Sequence, residues 1–264
     1  MCKIEGSILL PSLLFAEYVY NNNTIIPFNW VMDMYLYETH LHTAPASGCA
    51  RWSPAEAVAY YKKAGYAGIF VTNHFLDDDI PDLRQLPYDQ QINLYFADFE
   101  AAVQAGREVG LSVFSGIEIT YGGTDFLVYG LDKAWYLAHP EIDGMPIKAF
   151  LELARSNGAL MIHAHPFRES GYIDHIRLYP RSVHGVEIDN ANRSAFENEM
   201  AKQYAHNYQL IPFAGSDIHG KEAHGERAGM KSEVPVLDEK DFVQKVLAGE
   251  MQLFHVQLEP VVKV

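Results

Sequence analysis

The chain has 264 residues, 48% of them hydrophobic and 20% charged, which suits a soluble globular protein with a large core. Lys and Arg number 20 against 34 Asp and Glu, a formal net charge of −14, so a long polyanion such as duplex nucleic acid is repelled from most of the surface; a small anion held by metal ions is not. Cys2 and Cys49 are the only cysteines and cannot make a disulfide framework, so a reduced, cytoplasmic setting is the default expectation.

In chain order, Ile8–Phe15 is too short and too broken by Pro11 to span a bilayer, and no small-residue cleavage site follows it. Because Met34 directly precedes the first clear strand, residues 1–33 are expected to be an N-terminal extension or a mis-assigned start, with 34–264 as the domain. The β-forming run from Met34 ends in His40-Leu-His42, where two histidines one residue apart project the same way. Ser53-Pro54-Ala55-Glu56 is a capping box opening a helix over 55–64 that Gly65 stops. The apolar run Ala67–Thr72 leads into Asn73-His74, as a strand buried on both faces would. After the acidic loop Asp77-Asp78-Asp79, a helix over 89–109 stops at Gly110, and the strand Leu111–Glu118 ends on a carboxylate.

Tyr121-Gly-Gly-Thr reads as a turn into a strand beginning at Asp125. Pro146 opens a helix over 147–157 that Gly158 closes, and Ala159–Ile162 leads into His163-Ala-His165-Pro166. A strand over 183–189, a helix over 194–207 and a strand over 210–216 follow, the last running into Asp217-Ile-His219. Asp238 caps a final helix that stops at Gly249, and residues 252–256 form a closing strand. Strands and helices alternate, which predicts a mainly parallel sheet closed as a barrel in one domain. His40, His42, His74, Glu118, His165, Asp217 and His219 would then share the rim where strands end.

Nitrogen and carboxylate ligands without thiolate-rich spacing suit Zn, Mn or Fe. His40-Leu-His42-Thr43, Val71-Thr-Asn-His74, Gly116-Ile-Glu118, Ala164-His165-Pro166 and Gly215-Ser-Asp217-Ile-His219 together resemble the PHP family, named for its polymerase and histidinol-phosphatase members, over residues 34–225. The resemblance implies a distorted seven-stranded α/β barrel, TIM-like, with two to three divalent metal ions and hydrolysis of phosphate esters. It implies that His40, His42, Glu118 and Asp217 hold one metal, that Glu118 bridges to a second taking His165 and Asp125, and that His74 and His219 hold a third. The sequence departs from the family at Ser47-Gly48-Cys49, where many members carry an Asp or His, and at Asn73, where Asp is usual; Cys49 or water would complete the third site.

The expected chemistry is direct attack of a metal-bridging hydroxide on phosphorus, with Glu118 and Asp217 in the catalytic centre. Arg168 and Arg193 are the candidates for holding substrate phosphate, and His163, on the same strand end as His165, for giving a proton to the leaving group. A small phosphomonoester or a short nucleotide end is the expected substrate, with no long nucleic acid and no membrane as partner. An amidohydrolase-like metal hydrolase, which would ordinarily carry a bridging lysine, and a non-catalytic metal-binding domain are the alternatives.

Overall fold

The structure, a computed structural model, describes residues 34–220 and 225–257, together with the backbone of β1 (Tyr18–Asn21) and β2 (Thr24–Pro27). Residues 1–33 and 34–264 are two separate units. In the first, β1 and β2 pair antiparallel, with Tyr18 opposite Pro27; the apolar run Ile8–Phe15 lies outside the described residues.

The second unit is built on a nine-stranded sheet in the order β11-β10-β3-β4-β5-β6-β7-β8-β9. Its strands are β3 (Tyr35–Leu41), β4 (Gly68–Val71), β5 (Ser112–Tyr121), β6 (Thr124–Tyr129), β7 (Leu160–Ala164), β8 (Gly185–Asn190), β9 (Ile211–Gly215), β10 (Glu226–Ser232) and β11 (Gln252–Gln257). The helices are α1 (Pro54–Lys63), α2 (Tyr88–Val109), α3 (Lys133–Ala138), α4 (Ile147–Ser156), α5 (Ala195–Tyr208) and α6 (Glu239–Ala248). Capping boxes at Ser53 and Ser194 satisfy the first turns of α1 and α5, and left-handed glycines at 110 and 249 end α2 and α6.

The expectation of a mainly parallel, seven-stranded barrel needs correction. Strands β3 to β9 account for seven, but β10 and β11 extend the edge beside β3, and β10 pairs antiparallel with both β3 and β11. The β5–β6 and β6–β7 pairs are also antiparallel; the Gly122-Gly123 turn returns the chain from β5 into β6 at once, without a crossover helix. The remaining pairs are parallel.

At the site end the sheet nearly closes on itself. Asp217 N–H donates to His40 O at 2.9 Å and His42 N–H to Ile218 O at 3.0 Å. Below these bonds the buried Glu38 carboxylate takes the place of a ladder. Its Oε1 accepts from the backbone N–H of Thr39, His40 and Ser216 at 2.9–3.0 Å, and its Oε2 from Tyr61 Oη at 2.7 Å. The other end is plugged by α6, whose Phe242 packs on Phe70 and Tyr129 at ring separations of 4.2 and 5.3 Å. The barrel is therefore filled below and polar at the rim.

Candidate metal centre

Strand alternation alone does not aim the first two histidines. Tyr37 packs in the interior cluster and Leu41 in the outer one under α1, although both hold odd positions. The register against β4 shifts between Glu38 and Leu41, and this irregularity turns His40 and His42 inward, as bulges beside functional sites commonly do. His165 and Asp217 are re-aimed in another way. His165 is the first residue past the end of β7 and Asp217 the second past the end of β9, and both have φ in the left-handed region, 21° and 53°, a conformation costing about 1–3 kcal/mol at a non-glycine residue and held only by its surroundings.

Four imidazoles converge on Glu118. Its Oε1 lies 3.2 Å from His40 Nε2 and 3.3 Å from His165 Nε2, and its Oε2 lies 2.9 Å from His74 Nδ1 and 3.3 Å from His42 Nε2. Asp217 Oδ1 faces His42 Nε2 at 3.4 Å and His40 Nε2 at 3.6 Å, and its Oδ2 is 3.7 Å from His165 Nε2. Asp125 Oδ2 approaches His165 Nδ1 at 3.9 Å, and His219 Nδ1 is 3.7 Å from Asp217 Oδ1.

These groups are close without being bonded. Both Glu118 oxygens, His40 Nε2, His42 Nε2 and His74 Nδ1 are buried with no aligned hydrogen-bond partner among the described residues. Unpaired buried polar atoms are costly, and five of them facing one another form a donor set that divalent ions would satisfy. Three overlapping triads, His40-His42-Glu118, His40-His165-Asp217 and Glu118-Asp125-His165, have ligand atoms within 4.8 Å of one another.

The electrostatics fit a site that exchanges protons for cations. Burial opposes ionisation of Glu118, yet the charges on His74 and His40 outweigh it and hold the carboxyl well below its usual range. Asp217 is held low against burial by His40 and His42. Burial also opposes charge on His74, but Glu118 lifts it to about 11. His42 drops to about 3 through burial and the neighbouring charges of His219 and His74.

Arg168 Nη2 reaches Asp125 Oδ2 at 3.4 Å and Arg193 Nη2 reaches Asp217 Oδ2 at 3.2 Å, so both arginines lie at the cluster. The Nε of each is buried without a hydrogen bond among the described residues. Beside Arg168 a cavity of about 420 Å³ opens, lined also by His74, Asp125, Tyr172 and His219.

His163 does not join the site, and the expectation that it faces the rim is corrected. Its ring stacks on Phe126 at 4.9 Å and meets Tyr179 and Tyr204 edge-on, in an aromatic box on the outer face of β7. The shared parity with His165 fails because the backbone of His165 turns after the strand has ended. Burial and the charge of His165 lower His163 to about 3, so between the usual 6.5 and about 3 the unfolded chain takes up a proton that the folded chain refuses, and stability falls with pH. His163→Leu is therefore expected to leave metal content and turnover unchanged and to escape about 2 kcal/mol of this loss at pH 5. Melting temperatures of variant and wild type at pH 5 and pH 8 check it; the gain should appear at pH 5 only.

Glu187 is a residue the sequence reading passed over. Its Oε1 lies 3.0 Å from His40 Nδ1, and its Oε2 accepts from His165 N–H at 3.1 Å and Asn190 Nδ2 at 2.9 Å. One carboxylate thus orients two candidate ligands from two strands. Gly215 makes room for it, since a Cβ there would lie 2.6 Å from Glu187 Oε1 and 2.5 Å from His40 Cβ. Glu187→Gln keeps the shape and loses the charge; metal affinity is expected to fall about 10–100-fold, read by competition with a fluorescent chelator.

In structure the chain is similar to a two-domain protein containing a predicted PHP-like metal-dependent phosphoesterase from Bacteroides vulgatus, at TM-score 0.58 and 16% identity over 84% of this chain and 64% of that one. The chain thus spans 64% of the length of that protein. It is similar to PsfC from Pseudomonas syringae at TM-score 0.54 and 16% identity, covering 85% and 92%. An amidohydrolase from Chromobacterium violaceum, with bound sulfate and no metal, matches at 0.52 and 13%, covering 82% and 97%. No protein-family profile and no curated protein matches the chain. At these identities the likeness establishes the fold.

Proposed function

We propose that this chain, whose barrel has the fold of PHP-like phosphoesterases, is a metal-dependent hydrolase of phosphate esters acting on a small phosphomonoester or a short nucleotide end. The observation that carries the reading is Glu118, a buried carboxylate with four imidazoles within 3.3 Å of its oxygens, flanked by two arginines at Asp125 and Asp217. His40, His42, Glu118 and Asp217 would hold one ion, Glu118, Asp125 and His165 a second, and His74 and His219 would contribute to a third. Divalent Zn, Mn or Fe bound there would supply Lewis acidity toward phosphoryl oxygens and a nucleophile from water at neutral pH.

The chain's own groups do the rest. Arg168 and Arg193 leave their carboxylate partners to take the phosphoryl oxygens, whose charge the acidic surface would otherwise repel. Glu187 keeps the His40 ring in its orientation and holds the backbone of His165. The cavity of about 420 Å³ admits a ligand of nucleotide size and supports a small substrate over a polymer.

The structural neighbour named an amidohydrolase gives a second reading, hydrolysis of an amide or lactone at the same cluster. Glu118, in place of a bridging lysine, favours phosphate esters. A panel of phosphomonoesters, dinucleotides, lactones and amides assayed with Mn, Zn and Fe tests both. Turnover confined to the phosphate esters is the expected result, and turnover confined to lactones or amides would overturn it. Metal bound without turnover of any class would point to the non-catalytic alternative.

A further inference from the structure

Arg168 is held from two sides. Its Nη2 reaches Asp125 Oδ2 at 3.4 Å, and its guanidinium carbon lies 5.6 Å from the centroid of the Tyr172 ring, within cation–π range. Tyr172 borders the cavity of about 420 Å³ and is 66% exposed, so a large aromatic surface stands open beside the candidate phosphate-binding group.

The segment that carries this ring is braced. Residues 165–184 join β7 to β8 without helix or strand, a length at which an irregular loop usually serves a site. Glu169 N–H donates to Glu197 Oε1 at 2.9 Å, Arg177 donates to Gly122 O, and Tyr179 meets Phe126 edge-on at 5.2 Å. Next to Tyr172, Ile173 packs on the β5–β6 turn, where a Cβ on Gly123, with φ at 80°, would lie 3.2 Å from Ile173 Cγ1. Tyr172 is thus placed at the mouth of the cavity by the contacts of its neighbours, none of which uses its own ring.

The rest of the wall says what that ring can receive. Phe75 and Leu76 give the cavity apolar surface, and Asp77, Asp78 and Asp79 line it too. Arg84 is also in the lining, but Asp78 and Asp143 each hold it at 2.9 Å. A carboxylate or a second phosphate would be repelled there. An uncharged flat ring would not, and it gains by stacking on an aromatic side chain whatever its substituents. With phosphate on Arg168, the 5.6 Å to the Tyr172 ring suits a linker the size of a sugar.

We propose that Tyr172 is a specificity-determining residue, on which an uncharged planar ring in the alcohol portion of the phosphate ester stacks while Arg168 takes the phosphoryl oxygens. This inference rests on the reading of the site as a phosphoesterase. Stacking acts alike on bound substrate and transition state, so it lowers KM and leaves kcat as it is.

Adenosine 5′-monophosphate and methyl ribofuranoside 5-phosphate share sugar and phosphate, and differ by the ring. On metal-loaded wild-type protein the nucleotide should have a KM about 5–100-fold lower than the riboside, with similar kcat. Tyr172→Ala should erase that ratio, and Tyr172→Phe should keep it; calorimetric Kd values for the same two compounds read the preference without turnover. No preference in wild type, or a ratio that survives in Tyr172→Ala, would overturn the stacking and leave the proposed function standing; an equal loss on both compounds would make the ring a prop for Arg168. Ring-dependent binding without turnover of any phosphate ester would keep the subsite and overturn the proposed function. Neither compound bound nor hydrolysed would overturn both.

Discussion

Glu118→Ala is expected to abolish turnover of phosphate esters, by about 10³-fold or more, and to strip metal from both sites that share this residue. Metal catalysis supplies several kcal/mol of charge stabilisation, and each tenfold in rate corresponds to about 1.4 kcal/mol. The effect should exceed that of any single histidine, because Glu118 lies within 3.3 Å of His40, His42, His74 and His165 together. Glu118→Gln separates charge from shape: it should bind metal far more weakly than wild type while melting cooperatively. Steady-state kinetics and elemental analysis of the same preparations check both, and a Glu118→Ala protein with full metal and turnover would remove the residue from the centre.

Removal of both arginines has the next largest expected effect. A hydrogen bond to a charged group contributes about 1.5–3 kcal/mol, so Arg168→Ala with Arg193→Ala should lower kcat/KM by about 10²–10⁴-fold. Elemental analysis should show metal content retained, since neither arginine is a ligand. Arg168→Lys should recover only part of the loss, because an ammonium cannot reproduce the two-pronged geometry of guanidinium on phosphate. Were the double variant to keep kcat/KM and lose metal instead, the arginines would be supports for Asp125 and Asp217 rather than substrate contacts.

The elements were legible where local chemistry decides them. The capping box at Ser53, the glycine stops at 110 and 249 and the His40-Leu-His42 strand end can be read from a few adjacent residues. Strand β10, Glu-Arg-Ala-Gly-Met-Lys-Ser, has almost no β-forming composition. It exists through tertiary fit: Gly229 is required because a Cβ would lie 2.2 Å from Tyr37 O, a constraint that only the neighbouring strand imposes.

The site was legible as a set of residue types and less so as directions. His40, His42, His74, Glu118, Asp125, His165, Asp217 and His219 do converge, and their motifs anticipated the PHP fold. Alternation misplaced His163, because a left-handed φ at His165 breaks the period of two where β7 ends. Glu38 and Glu187 carry no signal of their own, since a carboxylate inside a strand reads as solvent-facing; only the folded chain shows that one stitches the barrel seam and the other orients two histidines.

The central claim, that Glu118 bridges two metal ions, is tested most directly by anomalous-difference density from crystals grown with Mn or Zn. The account predicts two peaks on either side of the Glu118 carboxylate, about 3.5–4 Å apart, one beside His40, His42 and Asp217 and the other beside Asp125 and His165. A single peak not touching Glu118, or none at full metal loading, would contradict it.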